Sequence, residues 1–305
     1  VSELESKIPK HLADSLVAAL NKHGYAFQYS LLRELDHLGD DIPRKVPWPF
    51  EVAEFPVSVQ GDGTRIDFVL THAARRHYVL AECKRADPRI SNWCFVRAPY
   101  VRKHRGSESV IVERLRFMRG NWSTPNGILK NKFYDATGVA AGHTDNAYHL
   151  AFELHSQDLG EKSEAASRGG DGRTIETAST QILRGMNGLA EWMSRTYDFF
   201  KDRDDVILVP VIFTTARIFK SDVDLGSASL TTGKLAASDL QLEETKWVAY
   251  QYHMSPGIKH QLPSVGSSTT LGEALDRDYI RTIYIVNGGA FESFLRRLPT
   301  FLDIF

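Results

Sequence analysis

Residues 78–88 read YVLAECKRADP. A run of β-type residues, Tyr78 to Ala81, leads straight into Glu82, Cys83 and Lys84. Glu and Lys are depleted in strands, so a carboxylate and an ammonium two positions apart at the end of such a run need a reason. The answer comes from the neighbouring run, TRIDFVLT (64–71), which is separated from HYVLAECKR (77–85) by a short polar link. An antiparallel hairpin turning at Ala74-Arg75 sets Asp67 opposite Glu82, Ile66 opposite Cys83, Phe68 opposite Ala81 and Leu70 opposite Val79. Side chains alternate across a strand. One face then holds Ile66, Phe68, Leu70, Val79, Ala81 and Cys83, all apolar, and the other holds Asp67, Glu82 and Lys84. A slip of one residue would mix the two sets, which burial of one face resists.

Two carboxylates facing each other across a sheet repel. A divalent cation turns that cost into a binding site, and Mg²⁺ takes hard oxygen ligands while needing only one or two protein carboxylates. Lys84, on the same face, could orient or deprotonate a water or neutralise charge developing on a phosphate. The plain alternative is a surface hairpin with a solvated Glu-Lys pair. The aligned Asp67 and the strongly apolar flanks favour the site.

Working outward, YAFQYSLLRELDHLGD (25–40) places Phe27, Leu31, Leu35 and Leu38 on one helical stripe. DDIPRKVPWPF (40–50), with three prolines, reads as a loop, and FEVAEFPVSV (50–59) as a first strand. Before them, residues 3–22 place Ile8, Leu12, Leu16, Val17 and Leu20 at helical spacing, with Gly24 as a stop. Residues 86–173 read as an insertion holding strands in SESVIVERLRFM (107–118) and AYHLAFELHS (147–156) and a mobile polar loop over 156–174. A long helix over 175–200 carries Ile182, Met186, Leu189, Trp192 and Met193 despite two glycines, and DDVILVPVIFTTARIF (204–219) reads as one buried strand. KWVAYQYHM (246–254), RTIYIVN (281–287) and AFESFLRRL (290–298) predict two further strands and a short helix. The order helix, three strands, helix, strand predicts an α/β sandwich.

The bulk properties narrow the function classes. Of 305 residues, 42% are hydrophobic and 25% charged, as in an ordinary folded chain. Length allows one elaborated domain or two small ones, and a single domain over 1–305 is the reading adopted. Net charge of −1 gives no global attraction to nucleic acid or to anionic membrane, so any polyanion site must come from local clustering. Two cysteines, Cys83 and Cys94, are too few for a disulfide scaffold or a cysteine zinc site and suit a reducing cytosol. No apolar run is long enough for a membrane span, and the N-terminal residues lack a signal-peptide core. The histidines form no metal spacing, and GDGTR (61–65) and VNGGAF (286–291) do not match a phosphate loop.

The residues around the hairpin resemble the PD-(D/E)XK nuclease superfamily, the restriction-endonuclease-like fold. Its pattern is an Asp at the end of one strand and Glu-x-Lys on the next. GTRIDF supplies Asp67 and LAECKRA supplies Glu82 and Lys84, with fourteen residues between Asp67 and Glu82. The resemblance implies an αβββαβ core over about 25–85 and 174–215, a mixed central sheet flanked by helices, the insertion 86–173 and a C-terminal extension 216–305. It leaves the insertion and the extension unexplained. Ile66 precedes Asp67 where many members have Pro. Where the family often has a Glu on the first core helix, this chain offers Gln28, with Glu34 and Glu54 as further candidates. Gln181, on the helix after Glu-x-Lys, is similar to a Gln that some members carry there.

What the resemblance implies is hydrolysis of a phosphodiester dependent on Mg²⁺, with Mn²⁺ as a substitute. Asp67 and Glu82 would bind the metal, and Lys84 and Gln181 would complete the catalytic set. DNA is the substrate it implies most often, in restriction, repair, antiphage defence or mobile-element processing. A homodimer or a defence or repair partner protein is compatible with it. FVRAPYVRKHRG (95–106) carries Arg97, Arg102, Lys103 and Arg105 among Phe95 and Tyr100, a pattern suited to phosphate contact and base stacking, and Arg114, Arg116 and Arg119 follow. Two other readings stay open: an RNA nuclease with the same site, and a non-cleaving nucleic-acid-binding or assembly subunit.

Overall fold

A computed structural model describes residues 10–22, 24–39, 46–74, 76–97, 111–117, 132–134, 147–154, 173–196, 205–236, 238, 240–262 and 270–302. In chain order the elements are α1 (Lys10–Lys22), α2 (Tyr25–Gly39), β1 (Phe50–Val59), β2 (Asp62–Thr71), β3 (His77–Lys84), β4 (Asn92–Val96), β5 (Glu113–Phe117), β6 (Lys132–Tyr134), β7 (Leu150–Leu154), α3 (Arg173–Arg195), β8 (Asp205–Thr214), β9 (Arg217–Ser221), β10 (Glu243–Thr245), β11 (Trp247–His253), α4 (Leu271–Asp278), β12 (Ile280–Asn287) and α5 (Phe291–Leu302). The fold is α/β, with a mixed central sheet flanked by helices.

The central sheet runs β1-β2-β3-β8-β12-β11. β1, β2 and β3 are antiparallel neighbours, and β8 lies parallel to both β3 and β12. The β2–β3 register is the one read from the sequence: Phe68 faces Ala81, Val69 faces Leu80 and Leu70 faces Val79. Both faces of the sheet are buried. On one, α3 lays Ile182, Met186, Leu189 and Met193 over Val69, Leu80, Leu208 and Ile212. On the other, Leu31, Leu35 and Leu38 of α2 and Phe294, Leu295 and Leu298 of α5 cover Phe68, Leu70, Val79, Val211 and Phe213. The 3.6-residue period of these stripes is what buries them.

The two glycines of α3 explain themselves here. A Cβ on Gly188 would come within 2.9 Å of Val57 Cβ, and one on Gly185 within 3.0 Å of Ile66 Cγ1. They let α3 press onto β1 and β2.

Three expectations are corrected and one helix is added. The stripe Leu12, Leu16, Val17 and Leu20 of α1 is exposed rather than buried; Ile8 lies outside the described residues. Trp192, expected on the buried stripe of α3, is exposed and packs edge-on against Phe55. The run 204–219 is two strands, because Thr214 Oγ1 accepts from Ala216 N–H at 3.1 Å and turns the chain. β9 then leaves for a second sheet of order β10-β9-β4-β7, built across the insertion and the extension. Finally, α4 was not anticipated; Thr270 caps it by accepting from Glu273 N–H. The insertion is stitched into the fold by β4 and β7 in the second sheet and by β5, which pairs with the start of β8. Most of its polar loop, residues 155–172, lies outside the described residues.

Candidate active site

The site forms where β2 and β3 part. Their ladder ends at Phe68–Ala81. At the next position the Asp67 side chain takes over, and its Oδ2 accepts from Cys83 N–H at 2.6 Å. Asp67 therefore lies across from Glu82 as the register requires, but bound through its side chain to β3.

The local backbone is unusual. Glu54 on β1, opposite Asp67, has φ of +54°, a left-handed conformation that is strained for a long side chain. Both strands switch faces at this pair. Ala53 and Phe68 pack toward α2 and α5, whereas Phe55 and Ile66 pack toward α3. This corrects the single apolar face expected for the hairpin: Ile66 has crossed to the α3 side, while Cys83 stays on the α2 side. The crossing resembles the local twist of a β-bulge. It leaves the Asp67 carboxylate on the β3 backbone at Cys83.

Gln28, buried on α2, holds this pair from outside. Its Nε2 donates to Glu54 Oε1 at 2.8 Å and to the Asp67 carbonyl at 3.0 Å. Arg65 approaches Glu54 at 3.9 Å. Glu34, further along α2, is exposed and takes no part.

On the α3 side, Glu82 is 1% exposed. Lys84 Nζ lies 2.6 Å from Glu82 Oε1 and donates to Gln181 Oε1 at 3.2 Å. Glu82 Oε2 is buried without a hydrogen-bond partner among the described residues. Burial pushes the Glu82 carboxyl up to about 8, with the Asp67 charge adding to the rise and Lys84 opposing it. Burial likewise lifts Asp67 to about 6, against the Cys83 hydrogen bond and the Lys84 charge. The Cys83 thiol is raised well above its ordinary range, chiefly by burial, so it is no nucleophile.

Asp67, Glu82, Lys84 and Gln181 are thus brought together, with Gln28 and Glu54 behind them. Among the described residues no group of three or more His, Cys, Asp or Glu side chains is arranged to hold a metal ion. The donor set for a cation is a pair of carboxylates. That suits Mg²⁺, which keeps several waters, and the unsatisfied Glu82 Oε2 is the kind of hard oxygen it prefers.

The basic segment fares differently. Arg97 is tied to Asp222 at 3.4 Å, and its backbone N–H donates to Ser221 O, so it belongs to the second sheet. Phe95 is fully buried beside Tyr250 and is no stacking platform. Arg102, Lys103 and Arg105, with Tyr100 and Arg119, lie outside the described residues, as does the Arg116 side chain. Sequence reading raised Gln28 and Glu54 but missed how they join. It also missed the Cys83 backbone donor, for which no residue type gives a signal.

No described helix is long and apolar enough to cross a membrane. Comparison with family models, with curated proteins and with solved structures finds no match to this chain.

Proposed function

We propose that this chain is a metal-dependent nuclease that hydrolyses phosphodiester bonds, on a restriction-endonuclease-like core formed by α2, β1, β2, β3, α3 and β8. One observation carries the reading. Glu82 is buried beside a second carboxylate, with one oxygen on Lys84 and the other without a partner among the described residues. A buried carboxylate pair is costly unless something compensates it. A divalent cation on Asp67 and Glu82 is that compensation.

Held by Asp67 and Glu82, such a cation would supply an activated water and charge stabilisation at a phosphate. The chain's own residues do the rest. The Cys83 N–H fixes Asp67, and Gln28 fixes the backbone on which Asp67 sits. Lys84, the only ammonium in contact with the pair among the described residues, supplies positive charge for the phosphorane. Gln181 limits where that ammonium can go. DNA is the proposed substrate, in restriction, antiphage defence or mobile-element processing.

A non-cleaving binding or assembly subunit is favoured by one feature: α2 sets an amide, Gln28, and not a carboxylate against the Glu54–Asp67 pair. An assay on plasmid, linear duplex, single-stranded DNA and RNA decides between them. With Mg²⁺ or Mn²⁺ the wild type is expected to cut, and chelator or Lys84→Ala to abolish cutting. Cutting that persists in Lys84→Ala would sink the assignment. RNA cut in preference to DNA corrects the substrate alone. No cutting on any substrate points to the non-cleaving subunit.

A further inference from the structure

We infer that Lys84 is an exchangeable internal counter-ion of Glu82, and that Gln181 is the acceptor that keeps its ammonium beside the site when a divalent cation takes the carboxylate. The inference rests on the reading of Asp67 and Glu82 as cation ligands, and it concerns how the chain regulates that site.

The geometry is that of a shared ammonium. Lys84 Nζ sits between a carboxylate oxygen at 2.6 Å and a neutral amide oxygen at 3.2 Å. The Lys84 side chain is 24% exposed, whereas the Glu82 side chain is 1% exposed. The lysine is the partner with room to move. It has a flexible four-carbon stem and three donors. The carboxylates cannot follow it: Asp67 is held by Cys83 N–H, and Glu82 is walled in.

The helix that carries Gln181 is fixed as well. It lies on α3 one turn before Gly185, and the Gly185–Gly188 contacts press that helix onto Ile66 and Val57. The chain therefore presents one mobile cation, one walled-in carboxylate and one amide acceptor carried on a fixed helix. While Lys84 rests on Glu82 Oε1, it offsets part of the cost of the buried carboxylate without metal. A divalent ion on Glu82 Oε2 and the ammonium on Oε1 repel across the same carboxylate, which favours release of Lys84 from Glu82. Gln181, uncharged, then retains it within reach of a bound phosphate. A static salt bridge makes the opposite claim: there Lys84 braces Glu82, and removing it harms cation binding.

The test measures free Mn²⁺ by electron paramagnetic resonance during titration of the full chain at pH 8 and low salt. It compares wild type, Glu82→Gln, Lys84→Met, Lys84→Gln, Gln181→Leu and the Lys84→Met/Gln181→Leu double variant. Circular dichroism checks each fold, and Lys84→Gln, which keeps a polar end, stands in if Lys84→Met does not fold. Removing the competing charge is expected to tighten Mn²⁺ binding by about tenfold in either Lys84 variant. Gln181→Leu is expected to weaken binding about threefold when Lys84 is present and not at all in the Lys84→Met background. Binding that depends on Glu82 but is unchanged or weaker in the Lys84 variants overturns the exchange alone. An equal effect of Gln181→Leu in both backgrounds overturns the role of Gln181. No binding by the wild type, or binding that survives Glu82→Gln, overturns the ligand reading and the exchange with it.

Discussion

At the scale of single residues, the chain keeps a carboxylate where water cannot reach it. Glu82 is raised to about 8 from an ordinary 4.5, chiefly by burial. Between those two values the folded chain holds a proton that the unfolded chain has released. Stability therefore falls as pH rises through this window. Asp67, lifted to about 6, adds the same slope over the lower part of it. Urea denaturation in chelator is thus expected to give a metal-free wild type more stable at pH 5.5 than at pH 8. Glu82→Gln removes most of that slope and is expected to gain roughly 1–3 kcal/mol at pH 8. Mg²⁺ at pH 8 should stabilise the wild type and leave Glu82→Gln unmoved. Parallel pH profiles for the two proteins would show that Glu82 is not the buried acid.

At the scale of elements, packing decides which apolar stripes matter. Leu16 on α1 and Leu35 on α2 look alike in sequence, each on a stripe of helical period. Leu35 is buried under the sheet and Leu16 is exposed. Leu35→Ala is expected to cost about 2–4 kcal/mol, and Leu16→Ala less than about 0.5 kcal/mol, by thermal or urea melts. The glycines of α3 give a sharper test. Alanine at an exposed helix position would gain about 1 kcal/mol. At Gly188 the new methyl would meet Val57 Cβ at 2.9 Å and Ser58 N at 3.2 Å. Gly188→Ala is expected to destabilise by about 1–3 kcal/mol, and a stabilised variant would refute the close contact of α3 with β1. These pairs show what the sequence could carry. Alternation on two adjacent runs was enough to set the β2–β3 register and to bring Asp67, Glu82 and Lys84 together. The face switch at Glu54 and Asp67 was not legible, because it depends on a left-handed backbone at a glutamate, which no residue type announces. Periodicity marked the face of α1 but could not say whether anything covers it. The second sheet was missed because its strands come from segments far apart in the chain.

At the scale of the whole molecule, a buried charge cluster joins the insertion to the central sheet. β5 and β12 share one edge of β8, β5 along its first residues and β12 along its last. Glu113 of β5 sits fully buried at this junction, paired with Arg281 of β12 and with His260 at 2.9 Å. Backbone and hydroxyl bonds at 2.8 Å between Ile111 and Thr282 run alongside. Burial alone would raise the Glu113 carboxyl, but Arg281 and His260 hold it below its ordinary value. Its stabilising effect is therefore present at neutral pH and lost only as pH falls through that lowered value. Glu113→Ala leaves the Arg281 guanidinium buried without its carboxylate, and the expected cost is about 3–5 kcal/mol. Replacing both partners, Glu113→Leu with Arg281→Met, is expected to recover most of that loss, because a buried ion pair pays heavily for desolvation. Hydrogen exchange followed by mass spectrometry separates the consequences. If the cluster is a joint of the whole sheet, Glu113→Ala deprotects β5, β8 and β12 together, while α2 and β1 keep their protection. Loss confined to β5 would mean that the insertion is only laid against the sheet and that the core stands without it.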